Sequence, residues 1–234
     1  MTIISLHIPK TAGVSFSHAL NKAFGMNRIL SDYEEGIESD QGQDIRRRLV
    51  GKQFVRIHKD EIIQNYDVVH GHFQADKYLS LGKNARFCAF FRDPIERLCS
   101  HYFYWLRVPD LKNTQCKDLI ELGMSIQEFS HFETQKHFYK RILGRVQIDD
   151  FTFIGLTEYY KESIHLFNKI FNLQLEDSDH DNSNHTTTQI DYKAQLKEGG
   201  IYEEIKELQE ENQWIYDQAR KRFELLFNTF SSGS

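Results

Sequence analysis

A parallel β-sheet flanked by helices, an α/β fold in one domain spanning 1–234, is expected of this chain from three features. A β-branched run at the start turns through a small-residue loop into a helix. Strand-like and helix-like stretches then alternate at the spacing of βαβ units. A second apolar run, residues 86–91, meets an Asp-Pro helix start. The chain is long enough for a sizeable core, and 40% hydrophobic with 27% charged residues is ordinary for a soluble globular protein.

At the start, Ile3, Ile4, Leu6 and Ile8 read as a buried strand that Pro9 ends. Lys10, Thr11, Ala12 and Gly13 form the turn, and residues 14–24 form a helix with Gly25 as its C-cap. The first N–H groups of a helix lack intrahelical partners and its dipole favours negative charge there, so this is a phosphate cradle. Lys10 adds a mobile charge, and Thr11 and Ser15 add hydroxyls. The pattern GxxxxGK[ST] is absent, because Lys10 precedes the loop glycine.

Residues 31–43 are acidic and read as an exposed loop bordering a cleft. Residues 44–50 form a short helix with Arg46, Arg47 and Arg48 on a solvated face, and residues 53–58 alternate as a strand. Residues 60–66 form a helix and 67–70 the next buried strand. There His70 and His72 flank Gly71 where the strand ends, at the edge on which parallel sheets bind ligands. Such a pair can also be a fragment of a metal site, but no third ligand stands at a typical distance.

Residues 86–91 read as a central strand. Asp93 is then the helix N-cap, Pro94 the first helical residue, and Glu96 completes a capping box. Arg92 sits at the junction. Arg97, Ser100 and Tyr104 share one helical stripe, with Arg97 bracing the helix through an ion pair. Residues 110–144 are helical, with Phe129, Phe132, Phe138, Ile142 and Leu143 in the core, and His131 and His137 are structural. Residues 150–160 are a strand running into a helix over 158–171, and residues 176–189 are a polar loop. Two helices, 201–212 and 213–230, close the chain, with Ile215, Ala219, Phe223, Leu226 and Phe230 buried.

A net charge of −5 argues against nucleic-acid binding and gives no hint of a polyanionic partner. No apolar run approaches the roughly 20 residues of a membrane helix, and the start has no signal-peptide pattern, so a cytoplasmic protein is expected. Cys88, Cys99 and Cys116 are an odd set without CxxC, which suits reduced, structural thiols.

The stretch HIPKTAGVSF, residues 7–16, resembles the 5′-phosphosulfate loop of sulfotransferases that use 3′-phosphoadenosine 5′-phosphosulfate (PAPS). It is most similar to their carbohydrate branch, which includes the heparan sulfate 2-O-sulfotransferases and bacterial relatives. HGH at 70–72 resembles the two-histidine segment of that branch, and RDPxxRxxSxY from Arg92 resembles the 3′-phosphate segment. GLTE at 155–158 and WIYDQARKRF at 214–223 resemble further family segments.

The resemblance implies a nucleotide-kinase-like P-loop sulfotransferase fold and transfer of a sulfuryl group from PAPS to an acceptor hydroxyl or amine. Residues 10–15 (Lys10, Thr11, Ala12, Gly13, Val14 and Ser15) would hold the 5′ side, and Arg92 with Ser100 the 3′-phosphate. Asn184, Thr186 and Thr187 would close over the nucleotide. His72 would be the general base and His70 would orient the acceptor, with Asp60 or Glu61 as carboxylate alternatives. No metal is implied, since Lys10 takes a cation's part. The acceptor would be a glycan, a lipid-linked sugar or a small metabolite. Two departures stand out: Val14 replaces a second Thr of the loop, and the polar loop lacks its usual basic residues. A small-molecule kinase using ATP and a non-catalytic bisphosphate-binding module are the alternative readings.

Overall fold

The computed structural model describes residues 1–33, 42–176 and 191–231. Strand β1 (Thr2–Leu6) leads to α1 (Gly13–Phe24), and β2 (Ile29–Asp32) follows at one edge of the sheet. Helices α2 (Gly42–Ile57) and α3 (Lys59–Asn65) precede β3 (Val68–Gly71). A 3-10 stretch over Ala75–Asn84 then leads into β4 (Ala85–Phe91) and α4 (Pro94–Arg107). Four short helices come next: α5 (Thr114–Glu121), α6 (Ile126–Ser130), α7 (Glu133–Lys136) and α8 (Phe138–Leu143). Strand β5 (Phe151–Leu156), α9 (Tyr160–Phe171), α10 (Tyr192–Glu198), α11 (Tyr202–Leu208) and α12 (Glu210–Ser231) complete the order.

Among the described residues five parallel strands form a sheet in the order β2-β3-β1-β4-β5, the α/β arrangement expected. The chain leaves β1 towards β2, and after β3 it crosses to the far side for β4. The crevice between the carboxyl ends of β1 and β4 is therefore the topological switch point, where open parallel sheets bind ligands. Parallel strands covered on both faces are apolar throughout, and all five residues of β1 are buried. A second apolar cluster, built from Leu98, Cys99, Trp105, Leu119, Phe129 and Ile205 among others, packs α4 against α5, α6 and α11. The three cysteines are buried, and none is joined to another by a disulfide.

Three expectations fail here. Residues 53–58 are not a strand but continue α2, which runs to Ile57. On α2, Val55 is buried and Arg48, Gly51 and Lys52 are half-buried, while Phe54 and Ile57 are exposed. Its buried stripe is too polar and small to show as helical hydrophobic periodicity. Residues 31 and 32, expected in a loop, belong to the edge strand β2. Phe230 is exposed, because α12 is about 33 Å long at 1.5 Å per residue and outruns a sheet whose strands span about 20 Å.

Candidate active site

The loop after β1 is wound through two left-handed residues, Lys10 (φ 68°) and Ala12 (φ 66°), neither of them glycine. Such conformations cost energy and persist where the surroundings impose them. The Thr11 hydroxyl imposes part of this one: it is buried and donates to the Ile8 carbonyl at 2.8 Å, so it staples the loop from within. The His7 ring imposes another part. A Cβ on Gly13 would stand 1.8 Å from the imidazole, so only glycine fits there. Ala12 is the N-cap of α1 and supplies no side-chain acceptor, and the first turn holds no acidic residue. The leading N–H groups thus face an anion-ready end. Ser15 is half-buried in that turn and Val14 is 64% exposed at its mouth. The Lys10 ammonium lies 3.8 Å over the ring of Tyr104 on α4.

The β4–α4 turn faces this loop across the switch point. Asp93 caps α4 as expected, accepting from the Ile95 and Glu96 N–H groups at 3.1 Å each, and Pro94 opens the helix. The expected capping box is only half formed. The Asp93 N–H donates to Glu158 Oε1 at 2.7 Å, because the carboxylate following β5 reaches it instead of Glu96. Glu96 turns to Arg92, whose Nη2 lies 3.5 Å from its carboxylate, and burial raises the Glu96 pKa against the opposing pull of Arg92. The other arm of Arg92 donates to the Lys10 carbonyl at 3.4 Å. Lys193 of α10 reaches Asp93 at 2.6 Å and adds positive charge there. Ser100 is half-buried further along α4. Arg97 is fully buried, with its Nη2 on Gln135 Oε1 at 2.9 Å and its guanidinium 3.6 Å over the Phe138 ring. An amide and an aromatic face are among its partners.

On the other side of β1, β3 carries the histidines. Ser5 and His70 are register partners, and the Ser5 hydroxyl meets His70 Nδ1 at 2.8 Å inside the sheet. His72, past Gly71, lies with its ring 4.5 Å from that of His7 and 4.9 Å from that of Tyr33. His7 Nδ1 meets the Tyr33 hydroxyl at 3.2 Å, and the His7 ring stacks 5.2 Å from His70. Gly71 has no room for a side chain, since a Cβ there would meet the Asp32 carbonyl at 1.7 Å. Burial lowers the pKa of His72 to about 4. For His70, burial and then His72 lower it to about 4; for His7, burial and then His72, His70 and Lys10 lower it to about 2. All three are neutral at ordinary pH, and the buried Nε2 atoms of His70 and His72 have no hydrogen-bond partner among the described residues.

The structure thus brings Lys10 to Arg92, and through His7 it brings the loop to His72. His7 escaped the sequence reading. Its signal was register: it stands two residues after Ser5, on the same strand face, as His72 stands after His70. Asp60 and Glu61 are exposed on α3, where Glu61 meets His58 at 3.0 Å, and no described contact joins either to His72. Asn184, Thr186 and Thr187 lie outside the described residues. Among the described residues no group of three or more His, Cys, Asp or Glu is placed to hold a metal, and no helix is long and apolar enough to cross a membrane.

No protein-family model matches the chain, and no curated protein matches it. Among solved structures it is similar to mouse sulfotransferase SULT7A1 complexed with PAP. The identity is 11% and the TM-score 0.38, with 80% of this chain covered. The alignment takes in 63% of that chain, so this protein spans less than two thirds of its neighbour's length.

Proposed function

We propose that this protein is a sulfotransferase that moves the sulfuryl group of PAPS to an acceptor hydroxyl, releasing adenosine 3′,5′-bisphosphate. The observation that carries the reading is the bond from Arg92 Nη1 to the Lys10 carbonyl. It ties a helix-terminus anion cradle to a second cationic site across the switch point, and a nucleotide phosphorylated at both 5′ and 3′ positions is the ligand that two such sites suit.

In this reading the α1 N-terminus and the loop N–H groups hold the 5′-phosphosulfate, and Arg92 and Ser100 hold the 3′-phosphate. Lys193, already at the Asp93 cap, adds positive charge to the 3′ side. His72 takes the proton of the acceptor hydroxyl as its oxygen bonds to sulfur. The bond from sulfur to the bridging phosphate oxygen breaks, and the leaving phosphate keeps the electron pair. Lys10 moves off the Tyr104 ring to neutralise that departing charge. Its ammonium and the fixed amide dipoles stabilise charge that spreads over the oxygens, as in phosphoryl transfer. The acceptor belongs to the sugars or small hydroxylated metabolites, taken in on the side of His72 and Tyr33.

Calorimetry with adenosine 3′,5′-bisphosphate, ATP and ADP, followed by PAPS turnover on an acceptor panel, tests this. Tight bisphosphate binding with turnover is expected. Preference for ATP would instead make the protein a kinase, and binding without turnover on any acceptor a nucleotide-binding module.

A further inference from the structure

Three consecutive residues of the β4–α4 turn are each held by a side chain from elsewhere in the fold. Thr157 Oγ1 donates to the Phe91 carbonyl at 3.1 Å. The Tyr139 hydroxyl accepts from the Arg92 N–H at 3.3 Å and donates to the Arg92 carbonyl. Glu158 accepts from the Asp93 N–H at 2.7 Å. Of these, Tyr139 reaches deepest. It is wholly buried, and its own N–H donates to Asn212 Oδ1 at 3.0 Å. The Asn212 amide donates in turn to the Gln135 and Lys136 carbonyls at 2.9 Å and to Gln209 Oε1 at 2.8 Å, and Gln135 receives Arg97.

Buried polar groups are costly unless satisfied, so a network this dense in a core of phenylalanines calls for a reason beyond packing. Both backbone polar atoms of one residue, Arg92, converge on a single hydroxyl. A guanidinium on a long flexible stem aims no better than the backbone that bears it. We infer that Tyr139, seconded by Thr157, is a positioning residue for Arg92: it fixes the Arg92 backbone so that the guanidinium is presented to the 3′-phosphate, and so sets the preference for a 3′-phosphorylated nucleotide. The inference rests on the proposed sulfotransferase reading and deepens it. It links the α12 network to the nucleotide site through a residue that need not touch the ligand.

The test is a pair of titrations, with adenosine 3′,5′-bisphosphate and with adenosine 5′-monophosphate, the weaker ligand followed by ligand-observed NMR. Tyr139→Phe keeps the ring against Phe91 and removes only the hydroxyl. It should weaken bisphosphate binding roughly 5- to 30-fold, the effect of hydrogen bonds lost at a charged ligand's site, and change monophosphate binding less than about twofold. In an Arg92→Ala background it should have no further effect, because its action passes through Arg92. Thr157→Val, at a less buried position, should act in the same direction more weakly, and it stands in if Tyr139→Phe fails to fold. Equal losses for both ligands would reduce Tyr139 to a structural residue, and an additive loss on Arg92→Ala would equally overturn the inference. If the wild-type chain binds no bisphosphate, the sulfotransferase reading fails and takes this inference with it.

Discussion

Lys10 sits in a left-handed turn with its ammonium over the Tyr104 ring, and that contact is a weak, partly exposed attraction. A group parked this way can move to an oxygen that gains charge as a bond breaks, and its contribution then falls on the transition state. Lys10→Met should therefore cut turnover by two orders of magnitude or more while changing bisphosphate affinity only a few-fold. Equal losses in both would make it a ground-state anchor. The environment of His72 disfavours its charged form. With its pKa lowered to about 4 by burial, the imidazole stays the free base through the neutral range. A base must be unprotonated to act, so the acid limb of kcat/KM should fall near pH 4, well below the 6.5 of an ordinary histidine. His72→Ala should lose on the order of 10²–10⁴ in turnover with bisphosphate affinity kept. Should the variant retain most of its activity and the same acid limb, the base lies elsewhere.

At the scale of elements, what could be read from the residues was whatever local chemistry decides. The β1–loop–α1 unit, β3 with its HGH end, and β4 with its Asp93-Pro94 helix start all stand where apolar runs and cap residues put them. What could not be read was decided by partners distant in sequence. Glu158 took the N–H that Glu96 was expected to accept, α2 half-buries Arg48 and Lys52, and the four residues of β2 are too few to stand out. The His7–Gly13 contact is the sharpest case, since PKTAG alone says small residue and not why. Gly13→Ala must displace either the His7 ring or the loop, because a Cβ would enter the ring at 1.8 Å. A loss of about 1–3 kcal/mol in urea unfolding, with weakened bisphosphate binding, is expected from that overpacking. Adding His7→Ala should restore much of the stability. If the double variant is no more stable than Gly13→Ala, the ring is not what excludes the methyl.

Across the whole molecule, the carboxyl edge of the sheet gathers imidazoles into a largely apolar interior, and this makes stability depend on pH. Burial lowers His7 to about 2 and His70 and His72 to about 4. It also holds His101, packed against Trp105 and Phe129, well below its ordinary value. In the unfolded chain each titrates near 6.5. Below that pH the unfolded state binds more protons than the folded one, so stability is full above about 6.5 and falls as pH drops towards 4. Each buried histidine contributes a slope approaching 1.4 kcal/mol per pH unit in that window, which means about 1 kcal/mol apiece between pH 7.5 and 5.5. The carboxylates held low by partners, such as Asp67 with Arg28 and Glu133 with Lys136, ordinarily titrate near 4 or 4.5, so they act mainly below the window. Urea midpoints should therefore change little between pH 7.5 and 6.5 and fall clearly between 6.5 and 5.5. His7→Phe, which keeps an aromatic ring over Gly13, should flatten the curve by the share of one histidine. A midpoint that stays level from 7.5 to 5.5 would mean these imidazoles take up protons in the folded state, and His72 could not then remain a free base down to pH 4.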